Sequence, residues 1–521
     1  MAVHLINPSD NSFGTAVITP RWLFVLAAAT PASFGDPILV DESIEALDPA
    51  TIAPGDVVGI SVHTGNALRG YEVGRIAHER GATVAYGGIH ATLFPEESFD
   101  RGHADHVVKG DGDIAWGKLL NDLQHGTAAR IYEGGKIEGD EFLSARWDLM
   151  QSDKYMWASV QTIRGCPKHC SFCSVWRTDG QKPRQRSFER VIDEIIDLRR
   201  KGFRFIALAD DNFYPVTLTD LRLAREQGNT EKLESLLATR NERFLLMNEL
   251  AKLPKDMVFF TQITMESAED GEYLDAMRRA NIKGALVGVE AVTPEGLKAV
   301  YKDFNYSGER LVEQLQMFRK HGLHVLGSFI FGLPTDKPST FDATVELAMR
   351  AGVTFAQFVM MTPFPGTVDF GRWEKSQSEK EVIEAVGDVP LTRYWLIPTA
   401  VRPKMFTPHP TMAASDISQR TQAVWDRFYA FPAIWKRSAC TPTLRARLAF
   451  VLLSKLYRQM YAGTGISTDS ARRKKAKISA RWLARQTRKI FQAKPMPELV
   501  YPQWAPRAKT SPILIQLNPA E

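Results

Sequence analysis

Three of the four cysteines in this 521-residue chain lie within eight residues of one another. Cys166, Cys170 and Cys173 are separated by three and two residues in the run RGCPKHCSFC, which begins at Arg164. Thiolates at such gaps can each ligate a different iron of one iron–sulfur cluster. A [4Fe–4S] cube contains one iron more than these cysteines can hold, and an open iron is a place for chemistry. The spacing therefore predicts a reactive cluster and not only an electron carrier.

Two other uses of clustered cysteines fit the spacing less well. A disulfide framework would need an even set of cysteines in a small secreted domain, and no signal peptide is recognised. A zinc site normally takes a fourth nitrogen or sulfur ligand, and zinc motifs usually pair two C-x2-C units. Only His169 could supply that ligand from within the motif. Cys440 stands alone and is interpreted as a packed side chain.

The C-x3-C-x2-C spacing, with Phe172 before the last cysteine, resembles the signature of the radical S-adenosylmethionine (SAM) enzymes. The resemblance implies a [4Fe–4S] cluster on Cys166, Cys170 and Cys173, with SAM held by the open iron. Reduction would then cleave SAM to a 5′-deoxyadenosyl radical. It also implies that Phe172 lies against the adenine of SAM, where a flat ring gains by stacking.

The strands that must position this loop follow one another between residues 156 and 375. The first, residues 158–163, ends directly before the cysteine motif. Alternation of strands and helices over this region predicts a partial (β/α)6 TIM barrel with its site at the carboxyl ends of the strands. The five later strands are predicted at residues 205–209, 258–263, 285–289, 325–330 and 355–360.

Three carboxylates stand at predicted strand ends in this barrel. Asp210 and Asp211 follow the second strand, and Glu290 closes the fourth. The family resemblance implies that a carboxylate at the end of the second strand, Asp210 or Asp211, holds the SAM ammonium group. It also implies that Glu290 bonds the ribose hydroxyls. Helix capping or an ordinary salt bridge is the alternative for each of them.

The first 130 residues also alternate between strands and helices. Strands are predicted at residues 56–62, 82–86 and 104–109, and their ends are rich in glycine. This pattern predicts a doubly wound, Rossmann-like sheet with a ligand at its carboxyl edge. Glycine at such an edge lets the backbone approach a ligand closely.

The order of the segments GGIHAT (87–92), PEE (95–97) and VVKGDGD (107–113) resembles the cobalamin-binding domain that precedes many radical SAM cores. The D-x-H-x-x-G motif, whose histidine ligates cobalt in other cobalamin domains, is absent, so cobalamin is expected without a protein histidine on cobalt. The alternative is a Rossmann-like domain that has lost its cofactor. The resemblance implies a cobalamin site formed by His63, Thr64, Gly87, Gly88, His90, Gly110 and Gly112.

The remaining chain divides into a linker at residues 131–155 and a mostly helical C-terminal domain at residues 376–521. The aromatic residues of that domain predict either a wall that closes the barrel around a large apolar substrate or an ordinary helical core. From Arg472 to Lys494 there are ten Lys or Arg residues and no Asp or Glu. Segment 471–493 therefore predicts either a solvated basic face or a helix on an anionic membrane surface. No fold that recognises nucleic acid accompanies this segment, so nucleic acid is not expected to bind.

Composition agrees with a globular protein, at 44% hydrophobic and 24% charged residues with a net charge of +5. No apolar run is long enough to span a bilayer. Few cysteines and oxygen-sensitive cluster chemistry predict a cytoplasmic location, and binding of segment 471–493 to lipid would add peripheral contact on the inner face of the membrane.

Taken together, these features resemble the cobalamin-dependent radical SAM methyltransferases, and within them the hopanoid C-2 methylases. The resemblance implies methylation of an unactivated carbon on a hydrophobic small molecule, with cobalamin, SAM and a [4Fe–4S] cluster as cofactors and flavodoxin or ferredoxin as reductant. The nearest enzymatic alternative is an anaerobic cyclase of the magnesium-protoporphyrin ester type. A non-enzymatic cobalamin or iron–sulfur sensor is the other.

Overall fold

The computed structural model of the protein describes residues 1–9, 16–463 and 492–501. Its strands are β1 (Val3–Asn7), β2 (Ala16–Ile18), β3 (Ile38–Asp41), β4 (Val57–Ser61), β5 (Thr83–Gly87), β6 (His106–Gly110), β7 (Ile131–Gly135), β8 (Tyr155–Val160), β9 (Ile163–Arg164), β10 (Arg184–Gln185), β11 (Phe205–Leu208), β12 (Val258–Ile263), β13 (Ile282–Glu290), β14 (His324–Phe331), β15 (Phe355–Met360), β16 (Ala385–Val386) and β17 (Val389–Pro390). Its α-helices are α1 (Arg21–Ala29), α2 (Ala67–Glu79), α3 (Ile89–Leu93), α4 (Pro95–Gly102), α5 (Gly112–His125), α6 (Val175–Thr178), α7 (Phe188–Arg200), α8 (Leu218–Glu226), α9 (Thr230–Leu250), α10 (Gly271–Arg279), α11 (Pro294–Ala299), α12 (Gly308–Lys320), α13 (Pro338–Arg350), α14 (Val368–Ser378), α15 (Ala414–Phe428), α16 (Phe431–Arg437) and α17 (Leu444–Gly463).

The N-terminal region forms a six-stranded parallel sheet in the order β3-β1-β4-β5-β6-β7. Successive strands are added on one side of β1 and then, from β4 onward, on the other side. The boundary between β1 and β4 is therefore the topological switch point, where open α/β sheets bind ligands. This confirms the doubly wound, Rossmann-like fold. Strand β7 differs from the prediction, because residues 131–135 pair with β6 and lie in the sheet, not in a linker.

The central region forms a seven-stranded parallel sheet in the order β15-β14-β13-β12-β11-β8-β2. All six predicted barrel strands are present, which confirms the partial TIM barrel. The seventh strand, β2, comes from within the N-terminal 130 residues and pairs with β8. A three-residue strand has too little pattern to be recognised in the sequence.

The two sheets share one hydrophobic core. Leu5 and Trp116 of the N-terminal region belong to the same buried cluster as Val160 and Phe259 of the barrel. Trp425 and Phe428 of α15 also belong to it. Within the described residues, the C-terminal third therefore has no core of its own, and its buried side chains complete those of the other two regions.

The C-terminal region contacts both of the other regions. Its turn at Leu391–Leu396 packs against the N-terminal region, where Trp395 shares a cluster with Tyr71. Helix α15 packs along the edge strand β15, and the Trp425 indole donates a hydrogen bond to the Phe358 carbonyl (2.7 Å). This bond caps an edge strand that would otherwise expose its backbone.

Two predictions for the C-terminal region need correction or lie outside the structure. Leu448 and Leu452 lie in the predicted helical domain, but they are 57% and 47% exposed and belong to neither a pocket wall nor a core. Cys440 packs, half-buried, against the main core. The basic segment 471–493 lies outside the described residues, except for its last two. Among the described helices, none combines the length and apolarity that crossing a bilayer requires.

Candidate active site

The cysteine loop emerges at the carboxyl end of β8, the second-outermost strand of the barrel sheet. Strands β9 and β10 pair antiparallel across its base, and the Cys166 amide donates to the Gly180 carbonyl (3.0 Å). Gly165 has a φ of +89°, and a Cβ there would lie 2.7 Å from the Lys182 carbonyl oxygen. Glycine before the first cysteine is therefore required by the backbone, independently of any ligand.

The three thiols are free and lie close enough to influence one another. Burial raises the pKa of Cys170 to about 11 and that of Cys173 to about 12, and it also raises the pKa of Cys166. Neutral buried thiols with no disulfide partner can become thiolates when a metal cluster binds and displaces their protons. The donor set thus fits an iron–sulfur cluster.

Asp210 does not face the cluster loop as a free ligand. Its carboxylate accepts hydrogen bonds from the Thr162 amide (2.6 Å), the Thr162 hydroxyl (2.6 Å) and the Ile163 amide (3.0 Å). The Arg243 guanidinium donates to the same hydroxyl (2.6 Å). The prediction that Asp210 holds the SAM ammonium group is therefore corrected, because these groups already satisfy a fully buried carboxylate. Asp210 instead fixes the turn from which the loop departs.

Asp211, the next residue, faces the cysteine loop. It accepts a hydrogen bond from the Gly165 amide (2.7 Å) and is only partly buried. Burial, together with the nearby Asp179 carboxylate, raises the pKa of Asp211 to about 7. Its charge also influences the Cys166 and Cys173 thiols. A cationic group placed beside Asp211 would favour its ionised form.

Phe172 lies against a small apolar cluster at the carboxyl ends of β13 and β14. Ile330 and Leu333 form part of this cluster, together with Ala291, Leu297 and Val300. The loop is anchored there by Ser171, whose hydroxyl donates to Asp369 (2.9 Å) and whose amide donates to the Val300 carbonyl (3.2 Å). The arrangement provides a flat aromatic ring beside an apolar wall, which suits a purine base.

Glu290 is 6% exposed and occupies the end of β13 with a φ of +66°. Its carboxylate is 3.2 Å from the ammonium group of Lys302, which also donates to the Gly288 carbonyl (2.8 Å). Burial raises the pKa of Glu290, and Lys302 opposes that effect. Burial alone would lower the pKa of Lys302, but Glu290 and the thiols of Cys170 and Cys166 hold it raised.

A cavity of about 480 Å³ lies between the carboxyl edge of the N-terminal sheet and the barrel. Gly87, Gly88, Gly110 and Gly112 line it, as the sequence predicts for a ligand site at this edge. The barrel contributes Gln161 and Ala209 among others, and the remaining wall includes Trp22, Leu26 and Trp116. Glycine-rich strand ends facing apolar side chains fit a large planar ligand. The residues present are thus compatible with a corrinoid.

Three of the predicted cobalamin residues lie elsewhere. His90 is fully buried, with its ring 3.1 Å from Glu97 and edge-on to Trp395, so it does not line the cavity. Its predicted contact with cobalamin is corrected, because the Trp395 turn covers it. His63 is exposed and accepts a hydrogen bond from the Gly65 amide (3.0 Å), and Thr64 lies 3.4 Å from the His90 ring. Neither residue lines the cavity.

An ion-pair network connects this cavity to the cysteine loop. Arg164, two residues before Cys166, pairs with Asp111 (2.8 Å) and Asp113 (2.9 Å), which flank the start of α5. Arg184 approaches the other oxygen of Asp111 (2.5 Å). Arg164, Asp111 and Asp113 also line the cavity. The network holds the base of the loop against the N-terminal sheet.

Sequence reasoning missed several residues of this arrangement. Lys302 follows a short helix and Arg243 lies in the middle of α9, yet they are 5% and 0% exposed. No local pattern distinguishes either residue from a surface cation. Asp113 belongs to the segment 107–113 that the sequence analysis names, but its pairing with Arg164 requires α5 and β9, which are distant in sequence, to meet.

Residues 160–348 match the radical SAM superfamily. The chain is 28% identical over 409 residues to an uncharacterized methyltransferase of Pyrococcus horikoshii, covering 73% of this chain and 80% of that protein. It is 26% identical to the bacteriochlorophyllide d C-12(1)-methyltransferase of Chlorobaculum tepidum (66% and 72% covered). It is 25% identical to the hopanoid C-2 methylase of Rhodopseudomonas palustris (71% and 66% covered).

Two solved structures have the same fold over most of the chain. The radical SAM methyltransferase TsrM of Kitasatospora setae, with cobalamin and a [4Fe–4S] cluster bound, superposes with a TM-score of 0.61 at 17% identity, covering 88% of this chain and all (100%) of that one. The cobalamin-dependent radical enzyme OxsB, with aqua-cobalamin bound, gives 0.64 at 12% identity, covering 94% and 80%. Both matches extend across the N-terminal sheet as well as the barrel.

Proposed function

We infer that this protein, which carries a radical SAM domain over residues 160–348, is a cobalamin-dependent radical SAM methyltransferase. The observation that carries the inference is the meeting of two sheet edges. The cysteine loop leaves the carboxyl end of β8, and residues at the ends of β8 and β11 line the cavity at the carboxyl edge of the N-terminal sheet. A ligand in that cavity would be a neighbour of the loop that holds the cluster.

When bound, the cluster and SAM supply a carbon-centred radical, and cobalamin supplies a methyl group. The chain's own residues have simpler roles. Cys166, Cys170 and Cys173 would hold the cluster. Phe172 and the apolar cluster beside it would bind the adenine and exclude water from it. Asp211 would accept the SAM ammonium group, because it is the carboxylate of the pair that remains accessible beside the loop.

Glu290 and Lys302 would orient the ribose and carboxylate of SAM. The pair is buried next to the thiols, so its charges act in a medium that screens them weakly. On the other side, Gly87, Gly88, Gly110 and Gly112 would leave room for the corrin edge. Arg164 would hold the cysteine loop in a fixed position against the N-terminal sheet through its pairs with Asp111 and Asp113.

The reaction is tested with anaerobically reconstituted protein, hydroxocobalamin, a chemical reductant and SAM labelled in its methyl group. Methyl transfer predicts that a product of the substrate acquires the labelled methyl group. Cyclase activity would instead give a product with a new ring and no label. A sensor would bind the cofactors and leave SAM uncleaved, which would remove the enzymatic assignment altogether.

The substrate proposed is a hydrophobic small molecule of the hopanoid type, methylated at an unactivated carbon. The hopanoid C-2 methylase relative supports this class, while the bacteriochlorophyllide methyltransferase relative points to a tetrapyrrole. Comparing lipids and pigments between a wild-type strain and a deletion strain separates the two. Flavodoxin or ferredoxin would supply the electron. Segment 471–493 would contribute peripheral contact with the inner face of the membrane.

A further inference from the structure

The exposed face of α17 carries three leucines one turn apart. Leu444, Leu448 and Leu452 are 65%, 57% and 47% exposed. The spacing of four residues places them in one stripe along the helix. The opposite face of α17 packs against the barrel, where Phe450 and Tyr457 contact Phe355 with ring-centroid distances of 5.4 and 5.6 Å. Three large apolar side chains in one exposed stripe indicate an interaction surface.

The surroundings of this stripe are basic. Between Arg427 and Thr468 the sequence contains seven Lys or Arg residues and no Asp or Glu. Lys436, Arg445 and Lys455 form no ion pair with any residue that the structure describes, and Arg445 and Lys455 flank the stripe on the same helix. The exposed ring of Phe431 (57%) adds a further apolar group on the adjoining helix α16. Apolar side chains bordered by cations match the chemistry of an anionic bilayer surface.

The position of α17 argues against an electron-donating partner as occupant. Phe355 begins β15, so α17 covers the amino-end edge of the barrel sheet. The cysteine loop leaves the opposite, carboxyl-end edge. The six residues of β15 separate the two edges by roughly 16 Å of strand alone, before the loops are counted. A reductant docked on α17 would therefore sit at the wrong end of the barrel to reach the cluster.

The chain around the basic segment returns to this same edge. After α17 ends at Gly463, the described chain resumes at Gln492, which bridges to Phe203 just before β11. The Gln492 amide also donates to the Tyr155 carbonyl at the start of β8 (2.8 Å). The described chain thus resumes at the amino-end edge, and the sequence between Gly463 and Gln492 contains nine Lys or Arg residues.

We propose that the stripe Leu444, Leu448 and Leu452, with the cations around it, docks this protein on an anionic lipid bilayer through the amino-end edge of its barrel. The site at the carboxyl-end edge then faces away from the lipid surface. The docking surface is separate from the methyltransferase site and does not depend on that assignment. It is also distinct from the basic segment 471–493, whose cations would add to the attraction of an anionic surface.

The test is flotation of the full-length protein with vesicles of phosphatidylglycerol and phosphatidylcholine. Replacing the three leucines with glutamine should lower the partition constant between vesicles and water roughly tenfold, because glutamine has less apolar surface to bury in the bilayer. A Leu218→Gln, Leu223→Gln variant is the matched control, because these leucines are 37% and 43% exposed on α8. It should bind like the wild type. Melting curves establish that each variant is folded.

Three outcomes would overturn the proposal. The triple variant could bind as tightly as the wild type. Binding could be lost only when the cations Arg472, Arg473, Lys474 and Lys475 are replaced with glutamine, which would assign docking to the basic segment alone. The leucine changes could convert a dimer to a monomer in light scattering while flotation stays unchanged, which would make the stripe a contact between two copies. SAM cleavage, measured in parallel, should be equal in all variants, so failure of docking and failure of the proposed reaction remain distinguishable.

Discussion

The guanidinium of Arg164 lies 2.9 Å from the carboxylate of Asp113, and this ion pair joins the cysteine loop to the sheet that carries the cavity. Arg164 is two residues before Cys166, whereas Asp113 lies in the first turn of α5, after β6. Both side chains are almost fully buried, at 11% and 4% exposed. The pair therefore couples the two halves of the site directly, without an intervening loop.

Replacing Arg164 with glutamine should destabilise the protein by about 3 kcal/mol, because it leaves the carboxylates of Asp111 and Asp113 buried near one another with one cation removed. Asp113→Asn should cost a similar amount. The two changes together should cost less than their sum, as measured by urea unfolding of the four proteins in a double-mutant cycle. Arg146→Gln breaks an exposed pair and should change stability by less than about 1 kcal/mol. Additive costs for Arg164 and Asp113 would show that they do not interact.

Each of the variants Cys166→Ala, Cys170→Ala and Cys173→Ala should abolish SAM cleavage. The wild-type protein, reconstituted anaerobically, should hold about four irons per chain, since the three thiols ligate one cube. Cys440→Ala is the matched control, because Cys440 packs against the core far from the loop, and it should cleave SAM normally. Cleavage by any of the three loop variants would rule out the cluster assignment.

The Glu290→Gln variant should raise the KM for SAM roughly tenfold and lower kcat less. The substitution keeps the shape of the side chain but removes the charge that pairs with Lys302 and that would orient the ribose. Glu295→Gln, an exposed position five residues along the chain, serves as the control and should leave the KM unchanged. A fall in kcat with an unchanged KM would instead place Glu290 outside the SAM site.

Bound cobalamin should show no nitrogen splitting from a protein histidine in the electron paramagnetic resonance spectrum of its Co(II) state. His90 is buried between Glu97 and Trp395, and no histidine lines the cavity. His63→Ala should leave the spectrum unchanged. Imidazole splitting that disappears in His63→Ala would identify His63 as a cobalt ligand and would move the corrinoid toward the loop that contains it.

The pH dependence of stability should contain a component from Asp336. Burial raises the pKa of Asp336 to about 6, although its carboxylate accepts hydrogen bonds from the Gly332 (2.8 Å) and Leu333 (3.0 Å) amides. A carboxyl whose pKa is raised on folding stabilises the protein below its unfolded value and loses that effect as pH rises through the folded value. Its contribution should therefore disappear between about pH 4 and pH 6 and amount to at most about 3 kcal/mol.

Urea unfolding of the wild type and of Asp336→Asn at a series of pH values measures this component. The amide of asparagine is neutral throughout, so the variant should gain stability relative to the wild type as pH rises across that window. A difference that stays constant with pH would show that Asp336 titrates with an ordinary pKa in the folded protein.

The sequence alone determined the chemistry and the order of the parts. The cysteine spacing identifies a cluster loop because ligand gaps are local, and Phe172 lies within the same run. Apolar strands ending in glycine or acid identified all six βα units and the carboxyl edge of the N-terminal sheet, because buried parallel strands are continuous hydrophobic runs. These features are short-range, and no knowledge of neighbouring elements is needed to recognise them.

Only the tertiary structure decided which polar residues are free to act. Asp210 and Asp211 are adjacent in sequence, yet Asp210 accepts hydrogen bonds from Thr162, whereas Asp211 faces the cysteine loop. The sequence predicts a contact of His90 with cobalamin, whereas in the structure the distant turn at Trp395 packs against its ring. Lys302 and Arg164 are paired with residues of other elements, Glu290 at the end of β13 and Asp113 in the first turn of α5. The burial and the hydrogen bonds of a residue depend on which helices and strands pack against it. Local sequence patterns do not specify that packing, because the packed elements are distant in the chain.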